Sequence, residues 1–154
     1  MTDEEYMRLA IDKAMNGILK GQLPFGACIV KNRNVVCCAH NTNIREGLTT
    51  EHAEMNAINM ACHKLGTVNL SGCTIYCTCE PCPMCFGACH LARISRIVFG
   101  ATLEDGDKAG LGVLDITNVK MNEIGKGAIE IREQLLRDEC LELFLKWQKI
   151  SGRK

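Results

Sequence analysis

The chain has 154 residues, 47% of them apolar, and its eighteen basic and eighteen acidic side chains cancel to a formal net charge of zero. That length suits a single domain, residues 1–154, which buries about two-thirds of its unfolded surface and is too short for two ordinary domains. Balanced charge excludes a global field that would draw the chain onto nucleic acid, and no apolar run approaches the roughly 18 residues of a membrane span.

Thr2 and Glu5 have capping-box spacing, and Met7, Ile11, Ala14, Met15 and Ile18 recur at helical spacing until Gly17 and Gly21 interrupt, which predicts an amphipathic first helix. Phe25 to Val30 and Val35 to Ala39 are apolar runs either side of the polar turn Lys31-Asn32-Arg33-Asn34, a predicted hairpin. Thr49 or Thr50 can cap a helix through His52, Ala53, Ala57, Ile58 and Ala61 to about Lys64, closed by Leu65-Gly66. Thr74 to Thr78 is β-prone, Pro83 suits a helix start, and Ile94 to Phe99 reads as another strand. Gly106, Gly110 and Gly112 mark a loop-rich stretch, Ala128 to Ile131 a last short strand. Leu135, Leu136, Cys140, Leu143, Phe144 and Trp147 repeat at helical spacing and predict a terminal helix with one packed face. Strands alternating with helices give an α/β fold: three layers, α/β/α, around a central mixed five-stranded sheet.

Eleven cysteines would suggest a disulfide framework in a small secreted chain, but the opening Met1-Thr2-Asp3-Glu4-Glu5 is acidic and carries no apolar signal segment, so reduced thiols and a cytoplasmic location are expected. Three of these residues fall into a chemical pattern. His52, Cys82 and Cys85 are three good zinc ligands, the number a catalytic Zn²⁺ takes when its fourth position is left for water, so one Zn²⁺ per chain is expected. His52 and Glu54, two apart on a helix, do not share a face, so the ion must lie off the helix end, with Glu54 beside the open position as proton shuttle. A second helix starting at Pro83 would bring two helix N-termini to the metal, where free N–H groups favour thiolates. By itself Glu54 is better read as an ordinary solvated first-turn carboxylate; beside three ligands the shuttle is the better account. The other cysteines sit in or beside apolar runs, as small core residues do.

Two rivals use the same cysteines. Cys79-x₂-Cys82-x₂-Cys85-x₃-Cys89 matches the bacterial ferredoxin spacing, although His90 stands where that run carries proline and the histidine–glutamate element would be idle. A structural Cys₃His zinc using Cys79 is the other; Cys79 lies on the strand side of Pro81 and is expected to point away. Either would make the chain a non-catalytic metal protein.

His52, Glu54, Pro81, Cys82 and Cys85 resemble, without a gap, the HxE and PCxxC elements of the cytidine deaminase-like superfamily. Leu23-Pro24-Phe25-Gly26-Ala27, His52 to Ile58 and Cys79 to Cys85 are most similar to the small guanine deaminases. Gly110 to Asp115, Lys120-Met121-Asn122 and Leu136 to Cys140 are more similar to bacterial tRNA adenosine deaminases. The resemblance implies that Asn41 contacts the substrate ring, that Phe25 floors the pocket, that the main chain of Ala53 meets the base, and that the protein is a homodimer. Read from the residues alone, Asn41 is also a turn residue and Phe25 also a core aromatic. The acidic pair that guanine deaminases carry after a glycine and an aromatic is absent, and Asp105, Asp107 or Asp115 is left as its substitute.

The expected activity is zinc-dependent hydrolytic deamination of a free nucleobase or nucleoside, with guanine- and cytosine-type rings leading and adenosine in tRNA as the alternative. A tRNA enzyme must also hold a phosphate backbone. The tail offers Arg132, Arg137, Lys146, Lys149, Arg153 and Lys154, but interleaved with Glu133, Glu139 and Glu142 it reads as a solvated helix face.

Overall fold

The computed structural model describes residues 1–153, so Lys154 of the basic tail lies outside it. Helix α1 (Asp3–Leu19) is followed by strands β1 (Gly26–Lys31) and β2 (Asn34–His40), the single turn α2 (Asn43–Glu46), helix α3 (Ala53–Leu65) and strand β3 (Cys73–Cys79). Helix α4 (Pro83–Leu91), strand β4 (Arg96–Ala101), two short helices α5 (Leu103–Lys108) and α6 (Asn118–Ile124), strand β5 (Glu130–Arg132) and helix α7 (Arg137–Ser151) complete the chain.

The five strands form one mixed sheet in the order β2-β1-β3-β4-β5. β1 runs antiparallel to both β2 and β3, while β3, β4 and β5 are parallel. Strand periodicity of two divides the core. Ala27, Ile29, Ile75, Cys77, Ile97 and Phe99 face Ala53, Ala57 and Ile58 of α3 and Phe86 and Cys89 of α4. The residues between them, Cys28, Val30, Tyr76 and Val98, face Tyr6, Met7 and Ala10 of α1 and Cys140 and Phe144 of α7. The expected α/β/α layering is therefore present.

Two glycines set how closely the second helix layer lies. A Cβ on Gly26 would meet the Ala10 carbonyl and the Ala14 amide of α1, and one on Gly100 would meet the Cys140 sulfur of α7 and the Thr78 carbonyl. Both helices therefore rest on backbone. The near edge of this layer is tied by Asp3, whose carboxylate accepts from both Arg96 Nη atoms at 3.1 and 2.9 Å, from Tyr76 Oη at 2.6 Å and from Arg132.

Several boundaries differ from expectation. Helix α1 continues through Gly17, which packs on the His40 ring, to Leu19. Neither Thr49 nor Thr50 caps α3; the Thr50 carbonyl accepts from the His52 amide at 2.8 Å, and this turn makes His52 itself the N-cap. The loop-rich stretch after Gly100 holds α5 and α6, too short to show a period. The terminal helix starts at Arg137 because Leu136 takes a left-handed φ of 53°.

Candidate metal centre and pocket

His52 and Cys82 occupy equivalent positions. Each is the extended N-cap residue of its helix, α3 and α4, and neither side chain caps the helix amides. Both side chains are thus turned away from the work an N-cap residue usually does. Cys85 lies one turn into α4, buried, and completes the group.

His52 Nδ1 lies 3.7 Å from Cys82 Sγ and 3.6 Å from Cys85 Sγ. Zn–N and Zn–S bonds of about 2.0 and 2.3 Å at a tetrahedral angle put nitrogen and sulfur about 3.5 Å apart, so the donor set is already spaced for zinc. Among the described residues it is the one group of three or more potential ligands that converges. Neither rival is built. Cys79 Sγ turns to the Thr102 carbonyl at 3.5 Å, and Cys89 is buried against the sheet with Phe86 and Ala57.

The thiols of Cys82 and Cys85 are pushed in opposite directions. The Cys85 thiol beside it, and then His52, hold Cys82 down to about 4, whereas contact with Cys82 and burial push Cys85 up. His52 is raised, first by its contact with Cys82. Glu54, in the first turn of α3, is 7% exposed, and burial pushes it up to about 7, against the pull of its own backbone N–H and of His52.

These groups open onto a cavity of about 370 Å³ lined by His52, Glu54 and Cys82 on one side and by Leu23, Phe25, Asn43, Thr49, Met84 and Leu111 to Leu114 on the others. Phe25 is in this wall, half-buried, and stands edge-on to Phe144 of α7 at 6.2 Å. Asn41 is fully buried behind it: its amide donates to the Phe25 carbonyl at 3.1 Å, its Oδ1 accepts from the Asn43 amide at 3.2 Å, and its Nδ2 has no partner. Ala53 is fully buried in the core and is not part of the lining.

No tail carboxylate reaches the cavity. Asp105 caps α5 and is held by Arg137, and Asp107 and Asp115 are exposed and outside the lining. Periodicity gave no sign of the apolar wall Leu111 to Leu114, which only the resemblance at Gly110 to Asp115 had marked, nor of Asn43 and Thr49 as lining residues. Glu80 stands inside the recognised cysteine motif, yet nothing in its spacing indicated a task.

Residues 1–101 match the cytidine and deoxycytidylate deaminase zinc-binding region. The chain is 40% identical over 138 residues to a tRNA-specific adenosine deaminase of Bacillus subtilis (strain 168), covering 90% of this chain and 83% of the relative. It is 34% identical over 158 residues to a guanine deaminase of the same organism, covering 100% and 99%. A solved structure from work on A-to-I editing by tRNA:A34 deaminases at the wobble position superposes with a TM-score of 0.79 at 30% identity, covering 90% of this chain and 98% of that one. With a donor set spaced for zinc and a matching sequence over two-thirds of its length, the chain belongs to the cytidine and deoxycytidylate deaminase family of zinc-type hydrolases acting on C–N bonds.

Proposed function

We propose that the chain hydrolyses the exocyclic amine of a nucleobase or nucleoside ring to a keto group and ammonia, with Glu54 as its catalytic residue. The observation that carries this is the position of Glu54, a buried carboxylate facing the same cavity as His52 and Cys82. His52, Cys82 and Cys85 would hold the zinc, which supplies Lewis-acid activation of water near neutral pH. Glu54 takes a proton from the attacking water and delivers it to the ring nitrogen beside the reacting carbon, then takes the remaining proton of the new hydroxyl and passes it to the amine, so that the C–N bond breaks, ammonia leaves and the oxygen stays as the keto group. Burial suits it to both halves of that cycle, since a carboxyl near 7 gives and accepts protons at similar cost. Phe25 supports the ring face, and Asn41, behind the cavity wall, holds Asn43 in the lining through its Oδ1.

Guanine- and cytosine-type rings are the first candidates. Glu80, the other lining carboxylate, is already engaged with two backbone amides, but Asn43 Oδ1 in the lining has no partner and can accept from a ring N–H. The 40% identity to a tRNA-specific adenosine deaminase favours adenosine in tRNA as the second reading. A homodimer, expected from the resemblance, is proposed with either substrate. An ammonia-release screen over guanine, guanosine, cytosine, cytidine, adenine and a tRNA anticodon stem-loop separates the readings. Release from any of the free bases or nucleosides supports the first, release from the stem-loop alone the second, and release from none refutes the activity.

A further inference from the structure

Glu80 ends the segment that leads from β3 into the metal-binding loop, two residues before Cys82, and is 4% exposed. Its two oxygens serve different parts of the chain. Oε2 accepts from the Leu103 amide at 3.2 Å and Oε1 from the Asn118 amide at 2.8 Å. Leu103 opens α5 and Asn118 opens α6, so one side chain closes both ends of the connection 103–118. The middle of that connection, Leu111 to Leu114, is the apolar wall of the pocket.

Asn118 adds a third tie. It is fully buried, and its Nδ2 donates to the Pro81 carbonyl at 2.6 Å while its Oδ1 has no partner. The Pro81 carbonyl and the Cys82 amide belong to one planar peptide, so the bond fixes the backbone from which the Cys82 side chain projects. A glutamate is required chemically: glutamine offers one acceptor, and its amide nitrogen would confront a backbone N–H.

We propose that Glu80 and Asn118 are positioning residues that hold the substrate-facing wall in register with the metal-binding loop, so that substrate fit depends on them more than metal retention does. This rests on the deaminase reading only for the kinetic measurement. The test compares E80Q and N118A with the wild-type, zinc-loaded protein by hydrogen exchange of backbone amides, zinc content per chain, and ammonia release from cytidine and from an adenosine-bearing anticodon stem-loop.

In E80Q, exchange at Leu103, Asn118 and residues 111–114 should accelerate about ten- to a hundredfold, the effect of leaving a buried donor unpaired. Zinc should stay at one per chain, with KM raised about tenfold and kcat within about threefold. N118A keeps both bonds to Glu80 and should show a smaller rise in KM, together with faster exchange at Phe86, whose amide donates to the Cys82 carbonyl at 2.8 Å; it carries the test if E80Q does not fold. Unchanged exchange in both variants overturns the clamp. Loss of zinc with falling kcat and unchanged KM overturns the assignment to the pocket wall. If the wild-type chain releases no ammonia from any ring, the deaminase reading fails while exchange still decides the clamp.

Discussion

The Asp105 carboxylate receives the Arg137 guanidinium side-on, with Oδ1 2.6 Å from Nη2 and Oδ2 2.9 Å from Nε. The same carboxylate accepts from the Thr102 amide at 2.9 Å and so closes the capping box of α5. Asp105 is thus committed to joining α5 to the first residue of α7, and this pairing, together with burial of the acid, is what removes it from the candidates that could touch a substrate.

Asp105→Asn should therefore act on stability and leave ring preference alone. Loss of the bidentate pair and half of a capping box should cost about 1–3 kcal/mol. For a chain of this size that lowers Tm by about 3–10 °C. Calorimetry gives the first quantity, and the ratio of kcat/KM for two accepted rings gives the second. A changed ratio would return Asp105 to the substrate.

Glu54→Gln removes the proton carrier and keeps the shape of the site. Turnover should fall by about 10²–10⁴ with zinc still bound. Metal content by atomic emission and ammonia release measure the two effects on one preparation, and normal activity would refute the role.

Removal of zinc by a chelator should lower Tm by about 5–15 °C, because a ligand that binds only the folded donor set stabilises that state. The metal competes with protons for His52 and Cys85, both raised above their ordinary values, so retention should weaken as pH falls. Dialysis against a fixed chelator concentration at pH 5.5 and 7.5 checks the sign. Cys82→Ser should behave as the stripped protein at both.

Hydrogen bonding from Arg96, helped by Tyr76 and Arg132, holds the Asp3 carboxyl down to about 2 from its ordinary 3.8. A depressed folded-state value means that the contribution to stability is whole above about pH 4 and is lost as pH falls toward 2. Asp3→Asn should lower Tm by a few degrees, about 2–6 °C, at pH 7 and by much less near pH 2, where the wild-type carboxyl is itself protonated. A Tm difference that does not shrink in acid would mean that Asp3 acts through packing.

The donors and most strands were legible in the sequence because their signals are local: His52, Cys82 and Cys85 are recognised by type and spacing, and the strand in Ile94 to Phe99 by its β-branched and aromatic run before Gly100. What stayed hidden depends on partners far along the chain. Asn118 meets Glu80 across 38 residues and Arg137 meets Asp105 across 32, and such pairings follow from topology, with no sequence period to announce them. Asn41 was expected at the substrate ring; the structure buries it behind the cavity and places Asn43 in the lining. The helix expected to be capped by a threonine shows the other kind of miss. Any of Thr49, Thr50 or His52 can precede a helix, and only the turn at Thr50 decides among them.

Gly100 lies on β4 with no room for a methyl group between it and Cys140 of α7, and one turn further along α7 stands Phe144, edge-on to Phe25. A single added carbon at Gly100 would lift the terminal helix and withdraw the support behind Phe25. The spot where this enzyme's pocket can be reshaped from outside is thus a glycine on the opposite side of the sheet from the metal ligands' helices, and random variants selected for altered substrate range should surface there without touching substrate.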